Sequence, residues 1–200
     1  MNDDTTRRLP AYLLAGGRSR RLGRDKARAR LDDETTVIEA VAASIEDEVA
    51  SVTAVAARRA KYDDLGIRTI ADFDPHRGPL GGILRAADDA GEGYMLIGSC
   101  DRIGLQATWV PILLAEITGR PAAVCFRFQN RLEPLFALYR AELADVLEHH
   151  IDQGMRAVWR FLSAVDARII DAPDGWHNTL SINTAEQLDR ARQMIEETGD

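Results

Sequence analysis

Two adjacent glycines, Gly16 and Gly17, end a mostly apolar run in LPAYLLAGGRSRRLGRDKA, residues 9–27, and four arginines and a lysine follow before any helical pattern begins. Glycines placed directly after a strand let the backbone turn sharply and bring its N–H groups close to an anion, where a Cβ would intrude. The cations then supply charge. The chain as a whole is acidic, with a formal net charge of −7, so this basic loop implies a small anionic target and argues against a nucleic-acid surface. A Walker A loop needs Gly-Lys followed by Ser or Thr, whereas Gly23 precedes Arg24, Asp25 and Lys26. A dinucleotide fingerprint needs G-x-G-x-x-G, which Gly16, Gly17 and Gly23 do not form. An ordinary solvated turn, its arginines paired with Asp25, Asp32 and Asp33, is the competing reading of a glycine pair alone.

Other residues with chemical potential fall at similar places. Asp101 ends the apolar run YMLIGSCD, where a carboxylate suits a hard cation such as Mg²⁺ or caps a following helix. Asp72 opens the turn-rich segment ADFDPHRGPLGG; its carboxylate reads as an acceptor for a ligand's N–H groups or as a solvated turn residue. Cys100 and Cys125 lack metal-ligand spacing, and no base neighbours Cys100, so both read as packing thiols. The four histidines are scattered, and the adjacent pair His149 and His150 cannot chelate from one helix face. No zinc site and no Ser or His triad is expected.

These residues need a scaffold that collects strand ends. Two hundred residues, 46% hydrophobic and 28% charged, suffice for one domain with a sizeable core, and a single domain over residues 1–200, its first eight residues flexible, is expected. No run approaches the roughly 20 apolar residues of a membrane span, and MNDDTTRR lacks the apolar segment of a signal peptide, so a cytoplasmic protein without membrane partners is expected. Strand candidates are 9–15, SVTAVAA, IRTIA (67–71), YMLIGS, AAVCFRF, LEPLFALYR, ARIID and HNTLSIN. The second pair of long ones reads as an antiparallel excursion. Helical spacing joins Ile38, Val41, Ile45 and Val49, and helices are also expected over 83–90, 106–118, AELADVLEHHIDQG and 157–164. Thr184 with Gln187 reads as a capping box opening the last helix. Strands alternating with helices predict an α/β three-layer sandwich on a mostly parallel, Rossmann-like sheet. In such sheets ligands gather beyond the carboxyl ends of the strands, and AGGRSRR, DFDPHRG and CDRIG all fall there.

The string L-A-G-G-x-S-x-R-L-G-x-D-K, from Leu14 to Lys26, resembles the signature of nucleotidyltransferases that activate phosphorylated small molecules with a nucleoside triphosphate. In particular it is similar to the molybdenum cofactor guanylyltransferases, the MobA family. The resemblance extends through GPLGG at 78–82, SCD ending at Asp101, EPLFALYR at 133–140, GMRAV at 154–158 and SINTAEQL at 181–188. It covers nearly the whole chain in order and implies the nucleotide-diphospho-sugar transferase-like fold.

The resemblance implies transfer of GMP from GTP to molybdopterin with release of pyrophosphate, with Mg²⁺ as cofactor and, as further partners, cofactor-assembly proteins or a receiving molybdoenzyme. Under it, Leu14, Ala15, Gly16 and Gly17 hold the triphosphate. Arg21 and Lys26 stabilise phosphoryl charge, and Asp101 ligates the metal. Asp72 faces the base, with Gly78, Pro79 and Leu80 close against the nucleotide. Arg156 and Asn183 contact the acceptor, Asn183 alternatively meeting the metal or the nucleotide phosphates or serving as a helix cap. The chain differs from the family pattern in having Ala56 and Ala57 where Asn or Ser is usual, Asp101-Arg102-Ile103 in place of D-x-P, and Ser181 where a first asparagine is expected. Transfer from CTP, another phosphorylated acceptor, and a nucleotide-binding module without catalysis are the alternative readings.

Overall fold

Alternation along PAYLL sends Ala11 and Leu13 to one side of the backbone and Tyr12 to the other, and all three are buried. Such a strand must lie between two layers. In the computed structural model, which describes residues 8–16 and 25–198, this strand β1 (Pro10–Leu14) pairs in parallel on both sides, with β2 (Ser51–Ala56) and β4 (Tyr94–Ser99). Strand β3 (Arg68–Ala71) extends the parallel set beyond β2. The excursion expected from AAVCFRF and LEPLFALYR is an antiparallel hairpin of β6 (Ala123–Phe128) and β7 (Arg131–Arg140), and β7 lies antiparallel against β4. Strand β8 (Ala167–Asp171) pairs in parallel with β6, giving the order β3-β2-β1-β4-β7-β6-β8. Only β7 runs against the rest. Two short strands, β5 (Arg102–Ile103) and β9 (Leu180–Ser181), pair separately, Arg102 opposite Ser181.

Two hydrophobic clusters fill the two faces. On one, α1 (Val37–Ala43), α3 (Trp109–Leu114) and α6 (Ala185–Thr198) pack with Leu13, Leu96, Val124 and Phe126. On the other, α2 (Pro79–Ala90), α4 (Ala144–Asp152) and α5 (Val158–Ala164) pack with Tyr12, Met95, Ile97 and Cys125. The expected three-layer sandwich is thus present. No helix among the described residues is long and apolar enough to cross a membrane.

Several boundaries differ from the sequence reading for local reasons. Helix α2 begins at Pro79, not near residue 83, because Gly78 takes φ +68° at the N-cap and Pro79 needs no N–H donor in the first turn. The helix predicted through Val49 stops at Ala43, where the Ser44 hydroxyl donates to the Val41 carbonyl at 2.7 Å, and a short 3₁₀ turn (Glu46–Glu48) follows. Residues 106–118 form only the six-residue α3, with Pro111 in its first turn. HNTLSIN contributes just β9, preceded by a 3₁₀ turn (Trp176–Asn178).

Candidate active site

Because β1, β2, β3 and β4 are parallel, their carboxyl ends open onto one edge, which therefore carries Gly16, Ala57, Asp72 and Asp101. The amino end of the opposed β7 reaches the same edge, where Glu133 pairs with Arg102 at 2.8 Å.

Asp101 is the centre of the arrangement. It lies just past β4 and is only 5% exposed. Its backbone carbonyl accepts from the Ile182 N–H at 2.9 Å, which ties the strand end to the segment before α6. The Ser99 hydroxyl donates to its Oδ1, and the Lys26 ammonium donates to its Oδ2. The same ammonium lies 3.4 Å from the Asn183 Oδ1. Lys26 is set on a short 3₁₀ turn (Lys26–Arg28) whose N-cap, Asp25, accepts from the Ala27 N–H at 3.2 Å. Three segments far apart in the chain therefore meet around one cation. Burial, with Asp101 beside it, pushes the Cys100 thiol up to about 12, so this cysteine is a protonated packing group.

Of the expected triphosphate cradle, the Ala15 N–H donates to the Val55 carbonyl at 2.8 Å and the Leu14 carbonyl accepts from Cys100 at 3.4 Å. This corrects the expectation of a free backbone donor at Ala15, since these two residues prolong the sheet ladder. Gly17 and Arg21 lie outside the described residues. A Cβ on Gly16 would meet nothing within 4 Å, so that edge is open.

The GPLGG segment is also corrected from a turn to a helix start. A Cβ on Gly82 would stand 3.0 Å from Leu14 Cδ2, and one on Gly81 only 2.7 Å from Arg77 Cβ and 3.5 Å from Asp72 Oδ1. The glycines bring α2 against β1 and beneath the 72–77 segment, and Leu80 is fully buried in the core. Asp72 prolongs β3, its N–H donating to the Ala56 carbonyl at 2.7 Å, while its Oδ1 accepts from the Asp74 N–H at 3.3 Å. Burial raises its carboxyl above its ordinary value.

Arg156 is placed elsewhere: its guanidinium donates to the Ile151 and Met155 carbonyls, each at 2.8 Å, closing the carboxyl end of α4. The Lys26, Asp101 and Asn183 contacts do not include it. Asn183 is not the cap of α6; Thr184 and Gln187 form the expected box, with reciprocal bonds of 3.1 and 3.3 Å. Sequence reading passed over Ser99, whose position two residues before Asp101 at a strand end was the available signal.

The donor set suits a magnesium ion. Each Asp101 oxygen accepts one bond and keeps further lone-pair capacity, and the Asn183 oxygen adds a neutral hard ligand. The Lys26 ammonium already stands as a cation among these oxygens. No group of three or more His, Cys, Asp or Glu side chains suited to a metal occurs among the described residues, so an ion held here would take few protein ligands and be completed by phosphates and water. The residues fit.

Known proteins resemble this chain over most of its length. Residues 11–167 match the model of the MobA-like NTP transferase domain. A "Probable molybdenum cofactor guanylyltransferase" of Opitutus terrae is 30% identical over 92% of this chain and 95% of its own length. One from Desulfosudis oleivorans, named molybdenum cofactor guanylyltransferase, is 29% identical over 94% of this chain and 96% of its own. Among solved structures, molybdopterin-guanine dinucleotide biosynthesis protein A from Archaeoglobus fulgidus superposes with a TM-score of 0.77 at 21% identity, covering 94% of this chain and all of that one. A 2-C-methyl-D-erythritol 4-phosphate cytidylyltransferase from Thermus thermophilus shares the fold at a TM-score of 0.65 and 14% identity, over 94% of this chain and 98% of that one. With the matched region running from β1 through the start of β8 and including both Lys26 and Asp101, the chain belongs to the MobA-like NTP transferase domain family.

Proposed function

We propose that this protein transfers GMP from GTP to molybdopterin, releasing pyrophosphate and forming a guanine dinucleotide cofactor. The observation that carries the proposal is the meeting of Lys26, Asp101 and Asn183 at the carboxyl edge of the sheet. In this reaction a terminal phosphate oxygen of the acceptor attacks the α-phosphorus of the nucleotide while the pyrophosphate oxygen leaves. The attacking phosphate is already ionised near neutral pH, so no general base is needed. What the protein must do is align two anions and offset their repulsion.

Lys26 offsets charge on the transferring and departing oxygens. Asp101 and Asn183 would hold magnesium, which when bound neutralises phosphate charge. Ser99 fixes the Asp101 rotamer through Oδ1. Ile182 fixes its backbone. Asp72, at the end of β3, accepts from the N1 and N2 donors of guanine. Arg21 and Gly17 retain their proposed roles toward the triphosphate, and Arg156, from the end of α4, its role toward the acceptor.

Asp72→Asn tests the base contact. Replacing a charged acceptor by an amide is expected to weaken GTP binding about 10- to 100-fold. Stability should move the other way. Because burial raises the native carboxyl above its unfolded value, ionisation of Asp72 opposes folding at neutral pH, and this opposition disappears as pH falls below the usual carboxylate range. The variant is therefore expected to melt above the parent at pH 7–8 and level with it in acid, as read by calorimetric scans across pH.

A second reading, transfer from CTP, is favoured by the fully buried Ala56 at the end of β2, which offers no polar side chain to a purine. Titration calorimetry with GTP, CTP, ATP and UTP in Mg²⁺ decides between them, together with pyrophosphate release in the presence of molybdopterin. Preference for GTP with release supports the proposal. Preference for CTP overturns the choice of base, and binding without release under any nucleotide points to an inactive module.

A further inference from the structure

The N-cap of the Lys26 turn is held from outside. Asp25 receives the Tyr62 hydroxyl at 3.2 Å to each carboxylate oxygen and the Lys61 ammonium at 2.7 Å on Oδ2. Tyr62 is fully buried although it belongs to the connection between β2 and β3. Its own N–H donates to Thr69 Oγ1 at 3.0 Å, which anchors it to β3. The Lys61 ammonium and the Arg28 guanidinium lie over its ring, 4.8 and 5.4 Å from the centroid. Arg28 in turn donates to both oxygens of Asp64 at 2.9 and 2.6 Å and to the Lys61 carbonyl. Burial and the Asp25 charge hold the Tyr62 phenol well above its usual value, so it remains a donor at any working pH.

The two residues flanking the Lys26 side chain, Asp25 and Ala27, are thus joined by a cap that the 61–64 segment holds in place. A lysine is a point charge on a flexible stem with many rotamers. Fixing its backbone origin narrows where the ammonium can stand. We infer that Tyr62 and Lys61 are positioning residues for Lys26, acting through the Asp25 carboxylate. The inference rests on the nucleotidyl-transfer reading for its consequence in rate, and on the proposed contact of Lys26 with a polyphosphate for its consequence in anion binding.

A double-mutant cycle tests it, since coupling appears only when two side chains act through one path. With GTP, Mg²⁺ and molybdopterin, Tyr62→Phe is expected to lower kcat about 10-fold, with KM for GTP changed less than about twofold. In a Lys26→Ala background the same change should cost less than about twofold. Lys61→Gln should behave in the same direction, and Lys61→Arg should restore most of the rate by preserving the charge on Asp25. Equal losses from Tyr62→Phe in both backgrounds would overturn the inference, because a general loss of structure ignores Lys26.

Magnesium tripolyphosphate, titrated by calorimetry into the same proteins, separates this from a failure of the functional reading. If the parent releases no pyrophosphate, that reading fails, yet Tyr62→Phe should still weaken tripolyphosphate binding about threefold to tenfold when Lys26 is present and not when it is absent. Additive weakening, or no binding by the parent, would overturn the positioning role.

Discussion

Asp101→Asn is expected to lower pyrophosphate release about 10³-fold or more, because it removes the negative charge that would hold magnesium and keeps the shape of the side chain. Metal ions supply several kcal/mol of transition-state charge stabilisation, and each 1.36 kcal/mol is tenfold in rate. The amide can still accept from Ser99, and the backbone bond from Ile182 does not depend on the side chain. A fall in rate with an unchanged far-ultraviolet spectrum and a weakened dependence on Mg²⁺ concentration is the predicted result. Unaltered magnesium dependence would remove Asp101 from the metal role.

Lys26→Ala is expected to act with two opposite signs. Losing a cation aimed at developing phosphoryl charge typically costs about 10²- to 10³-fold in turnover, and kcat and kcat/KM should fall together if the contact strengthens in the transition state. The ammonium also donates to Asp101 Oδ2. Its removal should therefore tighten magnesium binding without nucleotide, as calorimetry with MgCl₂ would read. Turnover falling while metal affinity rises distinguishes a lysine that shares its carboxylate with the ion from one that merely supports the loop. Loss of both would sink this account.

The seven strands of the main sheet were legible because each carries an apolar run bounded by turn residues, and a strand buried on both faces cannot hide that pattern, whereas the two-residue β5 was missed. Helix α2 was misplaced at its start because Gly-Pro-Leu-Gly-Gly carries the composition of a turn, although Pro in a first turn and Gly at a cap also open helices. Lys26 and Asp101 were each singled out by their place in motifs that resemble a family, but their contact with one another was not foreseen. Ser99 and Tyr62 were not. A tyrosine in RRAKYDDLG has no periodicity to mark it, and its meaning arises only when the exit of β2 folds over residues 25–28. Ala15 failed in the reverse direction: its place in a glycine loop suggested a ligand donor, and the neighbouring strand claims its N–H.

The region matched by the family model ends at residue 167, yet the tail beyond it supplies Trp176, Ile182, Leu188 and Ala191 to the core, the Asn183 Oδ1 to the Lys26 ammonium and the Ile182 N–H to the Asp101 carbonyl. Arg192 on α6 also reaches back to the Arg30 carbonyl at 3.0 and 3.2 Å, just after the Lys26 turn. A fragment cut to the matched boundaries would keep every residue of the glycine motif and lose the tail's bonds to Lys26, Arg30 and Asp101. Expression trimming by homology alone would discard part of the machine.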